Sequence, residues 1–274
     1  MRLAASVSAL ALALCVSTAT AQPKGEVKGT AMQHTPASLA AAVANASLVL
    51  PSGVTGAGVF KGKLADAPST KGTAPVVIFL HGSSGLGLAA IGEWQAWLAS
   101  LGVASVAPDS FALPDRITYS SPVDKDTYEK IHALRASEIE AALAAVKRQA
   151  WADPKRLFLA GTSEGSVAVA RYRGDAFAGR MIFAWSCEPN YFVTEPRNGF
   201  AAQEPVLNVI SSVDPFFSPS NAWLGNASAK GHCADALANN KNAVIVLIPG
   251  APHTLLNLPA ARSATAAFIA DATK

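Results

Sequence analysis

The chain has 274 residues, of which 50% are hydrophobic and 15% charged, with 22 Lys and Arg against 19 Asp and Glu. This composition excludes a disordered protein, and the length suits one large α/β domain with a substantial core. The net charge of +3 comes without a run of like charges or a basic stretch interleaved with aromatics. Nucleic acid and anionic membrane surfaces are therefore poor candidates for partners.

The first residues have the pattern of an export signal. Arg2 is followed by an apolar run from Leu3 to Val16 and then by small residues up to Ala21. This pattern predicts a secretory signal peptide over residues 1–21, because the apolar run is too short to span a bilayer. We therefore expect a secreted or periplasmic protein that has no integral membrane span once the signal is cleaved.

Cleavage would leave two of the three cysteines, Cys187 and Cys233. In an oxidising compartment this pair is a candidate disulfide, and two separate buried thiols are the alternative that sequence leaves open. A zinc site that adds His232 to the two cysteines is disfavoured, because the paired spacing of structural zinc ligands is missing. No metal is expected.

Two parts are predicted in the mature chain. Residues 22–55 are rich in Ala, Lys and Thr and are interpreted as an N-terminal extension that packs on the main domain, residues 56–274. Within the main domain, Phe60 to Leu64 is a candidate edge strand at the antiparallel start of a sheet.

Short apolar runs then alternate with longer stretches of helical spacing. The predicted strands are Val76 to Leu80, Val103 to Ala107, Arg156 to Ala160, Met181 to Trp185, Val206 to Ser211 and Val244 to Ile248. The predicted helices are Leu88 to Leu101, Thr127 to Gln149, Glu164 to Tyr172 and Leu255 to Asp271. Continuous apolar runs indicate strands buried on both faces. The β-α-β-α order predicts an α/β fold with a mostly parallel central sheet.

The motif GTSEG at residues 161–165 stands directly after a predicted strand and before a predicted helix. A nucleophile elbow needs small residues at both ends, so that the chain turns sharply and exposes the serine hydroxyl. Ser163 is therefore the candidate nucleophile of a serine hydrolase. Ser166 stands where such elbows often have a further glycine, which could alter the packing there.

A serine nucleophile needs a base and a carboxylate that orients the base, and on this scaffold they follow in the order acid, then histidine. Of the five histidines, His253 alone follows the last predicted strand and precedes the last helix. Asp214, in the loop after Val206 to Ser211, is the favoured acid, because carboxyl ends of parallel strands gather functional residues. Glu188, after the preceding strand, remains its rival.

The negative oxygen of a tetrahedral intermediate requires preorganised N–H donors. The backbone N–H groups of Glu164 and of Ser83, in the glycine-rich turn after Val76 to Leu80, are the predicted donors. The side chain of Glu164 is interpreted as a favourable charge in a first helical turn and not as a catalytic acid.

These motifs resemble the α/β-hydrolase superfamily and, within it, the dienelactone hydrolase-like group. The resemblance rests on the stretches FLHGSSGLG from Phe79, VAPDSFALPDR from Val106, LFLAGTSEGSVAVARY from Leu157, SSVDPFF from Ser211 and PGAPHTLLN from Pro249. It implies the α/β-hydrolase fold with helices on both faces of the sheet, the triad, and hydrolysis of a small carboxylic ester or lactone without a cofactor. The sequence departs from dienelactone hydrolases proper at the nucleophile, which is cysteine there and Ser163 here, so a dienelactone substrate is not carried over.

The interval between Met181 to Trp185 and Val206 is short, which leaves little room for a helical cap and favours an open site. Arg116 could pair with a substrate carboxylate or be a solvated loop residue. Aromatic side chains that could line an acyl pocket or belong to the core are Phe111, Trp185, Tyr191, Phe192, Phe216, Phe217 and Trp223. A peptidase or amidase on the same scaffold, or a binding protein without turnover, are the alternatives to an esterase.

Overall fold

The computed structural model describes residues 24–272, so the predicted signal peptide lies outside the described residues. The strands are β1 Val27–Lys28, β2 Ser47–Leu50, β3 Phe60–Lys63, β4 Ala74–Leu80, β5 Ala104–Ala107, β6 Thr118–Tyr119, β7 Ala152–Thr162, β8 Gly179–Phe183, β9 Val206–Ser211 and β10 Ala243–Ile248. The helices are α1 Pro36–Ala44, α2 Ser52–Thr55, α3 Ala89–Ser100, α4 Lys125–Lys147, α5 Glu164–Arg171 and α6 Pro259–Asp271.

Eight strands form the central sheet, in the order β10-β9-β8-β7-β4-β5-β2-β3. The six strands from β10 to β5 run parallel to one another, and β2 is antiparallel to both β5 and β3. Strands β8 and β9 are buried along their whole length, as continuous apolar runs predict. The predicted mostly parallel sheet is therefore confirmed.

Helices cover both faces of this sheet. Alternate residues of β4 point to opposite faces, so that Val76 and Ile78 pack in one apolar cluster and Val77 and Phe79 in the other. The first cluster includes buried residues of α4 and α5, and the second includes buried residues of α3 and α6. The architecture is that of an α/β-hydrolase.

The region predicted as an N-terminal extension contributes directly to the sheet. Strand β2 lies between β5 and β3, and three of its four residues are buried. The sequence pattern does not predict β2, because four residues are too few to display a period. Strand β3 lies at the edge of the sheet, where the sequence places Phe60 to Leu64.

A disulfide joins Cys187, after β8, to Cys233, before β10, across a sequence separation of 46 residues. The carbonyl of Trp185 and the N–H of Cys233 are both bound by the buried side chain of Asn208, at 3.0 and 3.1 Å. The disulfide and Asn208 thus hold two loops together at the carboxyl ends of β8 and β9. Within residues 24–272, no helix has both the length and the apolar character needed to cross a bilayer.

A buried neutral histidine makes this fold sensitive to acid. His132 on α4 is 1% exposed, and its Nε2 lies 3.2 Å from the carbonyl oxygen of Phe192. Burial and the charge of Arg171 lower the pKa of His132 to about 4. The ring therefore remains neutral well below the ordinary histidine pKa, although its hydrogen bond to Phe192 acts in the opposite direction.

We expect the free energy of unfolding to fall as the pH drops from about 6.5 to about 4, because in this window only the unfolded chain binds the His132 proton. At about 1.4 kcal/mol per pH unit, this residue contributes a loss of about 3 kcal/mol, and none above the unfolded pKa. In His132→Gln, whose amide can still donate to Phe192, this loss of about 3 kcal/mol between pH 6.5 and 4 should disappear, as measured by urea unfolding at several pH values. His232→Gln is the control, and an unchanged slope in His132→Gln would contradict this assignment.

Candidate active site

Ser163 occupies a sharp turn between β7 and α5, with φ 53° and ψ −118°. The left-handed region is costly for a residue with a side chain and persists only where the surroundings impose it. Here the N–H of Ser163 donates to the carbonyl of Phe183 on β8 at 2.9 Å, which fixes the turn against the sheet. The geometry is that of a nucleophile elbow.

The elbow has no room for side chains at its two glycines. A Cβ added to Gly165 would lie 2.3 Å from the carbonyl oxygen of Leu80 and 2.7 Å from that of His81. A Cβ added to Gly161 would lie 2.7 Å from the carbonyl carbon of Gly165. The small residues of the motif are therefore required because α5 begins in direct backbone contact with β7 and β4.

We expect Gly165→Ala to destabilise the protein by about 3 kcal/mol, because the new methyl group meets rigid backbone and not a movable side chain. Gly92→Ala on the exposed side of α3 is the matched control, since an added Cβ there meets nothing within 4 Å. That substitution should stabilise by roughly 0.5–1 kcal/mol through helix propensity. Urea unfolding of both variants measures the difference, and equal stabilities would refute the close contact.

Ser166 stabilises the elbow. Its Oγ lies 2.6 Å from the carbonyl of Gly161 and 2.7 Å from that of Phe183, and it accepts the N–H of Phe183 at 3.2 Å. Serine in place of a further glycine therefore ties the first turn of α5 to both β7 and β8 without disturbing the turn.

His253, after β10, forms a hydrogen-bonded pair with Asp214, after β9. Nδ1 of His253 lies 2.7 Å from Oδ2 of Asp214, and the carboxylate is fully buried. The other oxygen, Oδ1, accepts the N–H groups of Phe216 and Phe217 at 2.9 and 3.0 Å. With Nδ1–H held by the carboxylate, Nε2 is the nitrogen of His253 that can take up a proton.

Glu188 has a different position and different partners. Its two carboxylate oxygens accept the backbone N–H groups of Lys230 and Gly231, at 2.7 and 3.0 Å. Glu188 therefore holds the loop that precedes the disulfide cysteine Cys233. The geometry brings Asp214, and not Glu188, to His253.

Ser163 and His253 line one small cavity of about 50 Å³ together with Ser83, Leu88 and Leu256. The turn after β4 is closed by the N–H of Gly85, which donates to the carbonyl of Gly82 at 3.1 Å. Ser83 lines the cavity together with Ser163, and the N–H of Glu164 is the first of α5. The first N–H groups of a helix have no acceptor inside the helix, so both positions suit an oxyanion hole.

Glu164 lies in the first turn of α5, as expected, but its side chain has partners that the sequence did not reveal. It is fully buried beneath the elbow, where it accepts a hydrogen bond from Nη2 of Arg116 at 2.6 Å and one from the hydroxyl of Tyr119 at 2.9 Å. Burial and this carboxylate raise the pKa of Tyr119 well above its ordinary value. Arg116 and Tyr119 therefore stabilise the buried carboxylate of Glu164 in addition to the helix dipole.

Arg116 consequently does not reach a substrate. It is 5% exposed, and its guanidinium also donates to Oγ of Ser110 at 2.7 Å and to the carbonyl of Ile117 at 2.9 Å. The hypothesis that Arg116 pairs with a substrate carboxylate is therefore wrong. The partners Arg116 and Glu164 are 48 residues apart and carry no local sequence signal.

Further buried charges surround Glu164. Arg135, fully buried on α4, has Nη1 3.6 Å from Glu164 and Nε 3.2 Å from Glu138. Glu138 in turn lies 3.1 Å from Nε2 of His34. Buried charges require nearby opposite charges, and here Glu164 has Arg116 and Glu138 has Arg135 within 4 Å.

Most of the aromatic residues considered for an acyl pocket belong to the core. Trp185, Tyr191, Phe192 and Phe217 are buried and pack against each other, with the rings of Trp185 and Phe217 4.9 Å apart. Phe216 instead packs edge-on against His253 at 4.7 Å, where it limits the movement of the imidazole. Among residues 24–272, no group of three or more His, Cys, Asp or Glu side chains is arranged to hold a metal ion.

No protein-family model matches the sequence, and no curated protein matches it. Solved structures share its fold at low identity. A protein of Klebsiella pneumoniae assigned as a dienelactone hydrolase has a TM-score of 0.53 at 17% identity, with 74% of this chain and 88% of that chain covered. A dienelactone hydrolase-like promiscuous phosphotriesterase from metagenomic libraries has a TM-score of 0.52 at 18% identity, with 74% and 87% covered. The esterase PE8 has a TM-score of 0.50 at 18% identity, with 73% and 93% covered.

Proposed function

We propose that this chain is a secreted serine hydrolase that cleaves a small carboxylic ester or lactone through an acyl-enzyme on Ser163. The observation that carries the proposal is the meeting of Ser163, on its strained turn, with the His253–Asp214 pair at one cavity. A nucleophile, a base and an orienting carboxylate in these relations make up the apparatus for acyl transfer.

In the proposed reaction, Oγ of Ser163 attacks the ester carbonyl carbon while Nε2 of His253 takes the hydroxyl proton. The N–H groups of Ser83 and Glu164 stabilise the negative oxygen of the tetrahedral intermediate. His253 then returns its proton to the departing alcohol, which leaves the acyl group on Ser163. Water, activated by His253, cleaves this ester by the reverse sequence and releases the acid. Asp214 holds the imidazole and stabilises its charged form throughout.

The size of the cavity supports a small substrate group beside Ser163. A volume of about 50 Å³ corresponds to roughly three to five water molecules at 10–15 Å³ each. That space suits an acetyl or similar short group beside Ser163. Neighbours that are assigned as a dienelactone hydrolase and as an esterase support ester hydrolysis on this fold.

Export from the cytoplasm is part of the proposal. The N-terminal pattern predicts a cleaved signal, and a disulfide between Cys187 and Cys233 is stable in an oxidising compartment and rare in the cytosol.

The proposal is tested with the chain that begins at Gln22, assayed on p-nitrophenyl acetate and on p-nitroacetanilide, its amide counterpart. We expect hydrolysis of the ester, and covalent labelling of Ser163 by a fluorophosphonate probe, located by mass spectrometry of the labelled peptide. Turnover of the anilide but not the ester would favour an amidase. Folded protein that neither turns over an ester nor reacts with the probe would favour a binding protein.

A further inference from the structure

We propose that Arg116 is a positioning residue that holds both N–H donors of the oxyanion hole through two chains of hydrogen bonds. The inference rests on the proposed function and adds a role for a buried residue that touches no substrate. Arg116 lies in the segment between β5 and α4, is 5% exposed, and pairs with Glu164 at the start of α5.

The first chain leads to the donor on α5. Nη2 of Arg116 donates to Oε1 of Glu164 at 2.6 Å, and the Tyr119 hydroxyl donates to Oε2 at 2.9 Å. Both carboxylate oxygens of Glu164 are thus hydrogen-bonded. The backbone N–H of the same residue is the proposed oxyanion donor next to Ser163. Anchoring the side chain from below fixes the start of α5 and with it the direction of this N–H.

The second chain leads to the donor in the turn after β4. Nε of Arg116 donates to Oγ of Ser110 at 2.7 Å, and the N–H of Ser110 donates to Nε2 of His81 at 3.2 Å. Because Nε2 accepts, the proton of the neutral ring is on Nδ1, which lies 2.7 Å from the carbonyl oxygen of Gly82. Burial and the neighbouring charge of Arg135 lower the pKa of His81 well below its ordinary value, which keeps the ring neutral.

The Gly82 carbonyl transmits this contact to Ser83. In a trans peptide the C=O of one residue and the N–H of the next point in opposite directions. Only Ser121–Pro122 is cis among the residues that the structure describes, so the Gly82–Ser83 peptide is trans. When His81 holds the carbonyl of Gly82 on one side, the N–H of Ser83 is directed to the other. Ser83 lines the cavity with Ser163, and its N–H is the second donor that the proposed function requires.

The segment that carries Arg116 is itself fastened. Strand β1 pairs with β6, and the carbonyl of Asp115 accepts the N–H groups of Thr30 and Ala31 at 3.0 and 2.9 Å. Asp115 also accepts the hydroxyl of Thr30 through Oδ2 at 2.5 Å. The backbone at Arg116 is therefore held in place by these contacts. A residue that orients other groups needs such a fixed backbone.

The test compares Arg116→Met with Arg180→Met in the chain that begins at Gln22. Arg180 is 1% exposed and pairs with Glu204, but it lies near the amino end of β8, away from the elbow at the carboxyl ends of the strands. Both variants remove a buried guanidinium from an ion pair. In Arg116→Met the charge of Glu164 keeps Arg135 and Tyr119 as partners, which favours folding. Arg116→Lys is the second variant if Arg116→Met does not fold.

We expect Arg116→Met to lower kcat for p-nitrophenyl acetate by about ten- to hundredfold while KM changes by less than about twofold, because a misplaced donor acts on the transition state. A short alkylboronic acid, which forms a tetrahedral adduct on serine, should lose affinity by the same factor as kcat/KM. Arg180→Met should lower Tm and leave kcat and the boronate affinity within about twofold of wild type. Arg116→Lys should have a kcat and a boronate affinity between those of Arg116→Met and the wild type, because one ammonium group cannot bind Glu164 and Ser110 together as the guanidinium does.

Two results would overturn the inference while the wild type hydrolyses the ester: equal losses of kcat in Arg116→Met and Arg180→Met, or a change in KM alone. The inference would also be overturned if Arg116→Lys had the kcat and the boronate affinity of the wild type. A wild-type chain that folds but neither turns over the ester nor reacts with a fluorophosphonate would overturn the proposed function, and this inference with it.

Discussion

Replacing Ser163 with alanine should lower kcat/KM for p-nitrophenyl acetate by about 10⁴-fold or more and abolish labelling by a fluorophosphonate. Ser83 and Ser84 also line the cavity, but neither occupies the strained turn between β7 and α5 that exposes the hydroxyl of Ser163. We therefore expect neither serine to replace Ser163 as the nucleophile. Residual hydrolysis above background is expected, since the oxyanion donors and His253 remain and can act on water directly.

Ser166→Ala is the control for this prediction. Ser166 lies three residues further along and is fully buried, with its hydroxyl within hydrogen-bonding distance of the carbonyls of Gly161 and Phe183. We expect a loss of stability of about 1–2 kcal/mol in this variant, with labelling of Ser163 retained. The assignment of Ser163 as the nucleophile would be wrong if the probe labelled the same peptide of Ser163→Ala at the wild-type rate.

The second large effect distinguishes the two candidate acids. Asp214→Asn should lower kcat by about 10³- to 10⁴-fold, because an amide next to Nδ1 of His253 favours the tautomer whose Nε2 already carries a proton and does not accept one from Ser163. The substitution keeps the shape of the side chain, and its amide oxygen can still accept the N–H groups of Phe216 and Phe217. We therefore expect the fold to persist and the rate to fall.

Glu188→Gln is the matched carboxylate-to-amide change. The two oxygens of Glu188 accept the N–H groups of Lys230 and Gly231. In the variant one oxygen becomes an NH₂ group, which cannot accept, so the loop loses one hydrogen bond. The expected result is a loss of stability of roughly 1–3 kcal/mol and a kcat within about threefold of wild type. Steady-state kinetics and urea unfolding of both variants separate the two roles. The reverse pattern, with the large loss of rate in Glu188→Gln, would exclude Asp214 as the acid.

The sequence and the structure agree best where a signal is local. The run Val206 to Ser211 is a strand with the same bounds in both, and the helix predicted from Glu164 begins at that residue. The elbow was recognisable because its glycines and serine are contiguous and follow a buried run. His253 followed from chain order, since its loop lies between the last strand and the last helix.

Agreement ends where the partner of a side chain lies in a distant element. Strand β2 carries too few residues for a pattern, and it is a strand because β5 and β3 supply its hydrogen bonds. Glu164 looked like an ordinary charge in a first helical turn, and Arg116 like a residue free to bind substrate. Both are buried and pair with each other at 2.6 Å, and the residues next to them in sequence give no indication of this pairing.

The sequence by itself determined the α/β architecture, the elbow at Ser163 and the place of His253, because short-range periodicity, turn chemistry and chain order encode them. Only the tertiary structure decided that Asp214 reaches His253, that Cys187 meets Cys233, and that a buried ion pair lies beneath the elbow. These contacts join residues 39, 46 and 48 positions apart, and they depend on distances that the packing of the whole sheet sets.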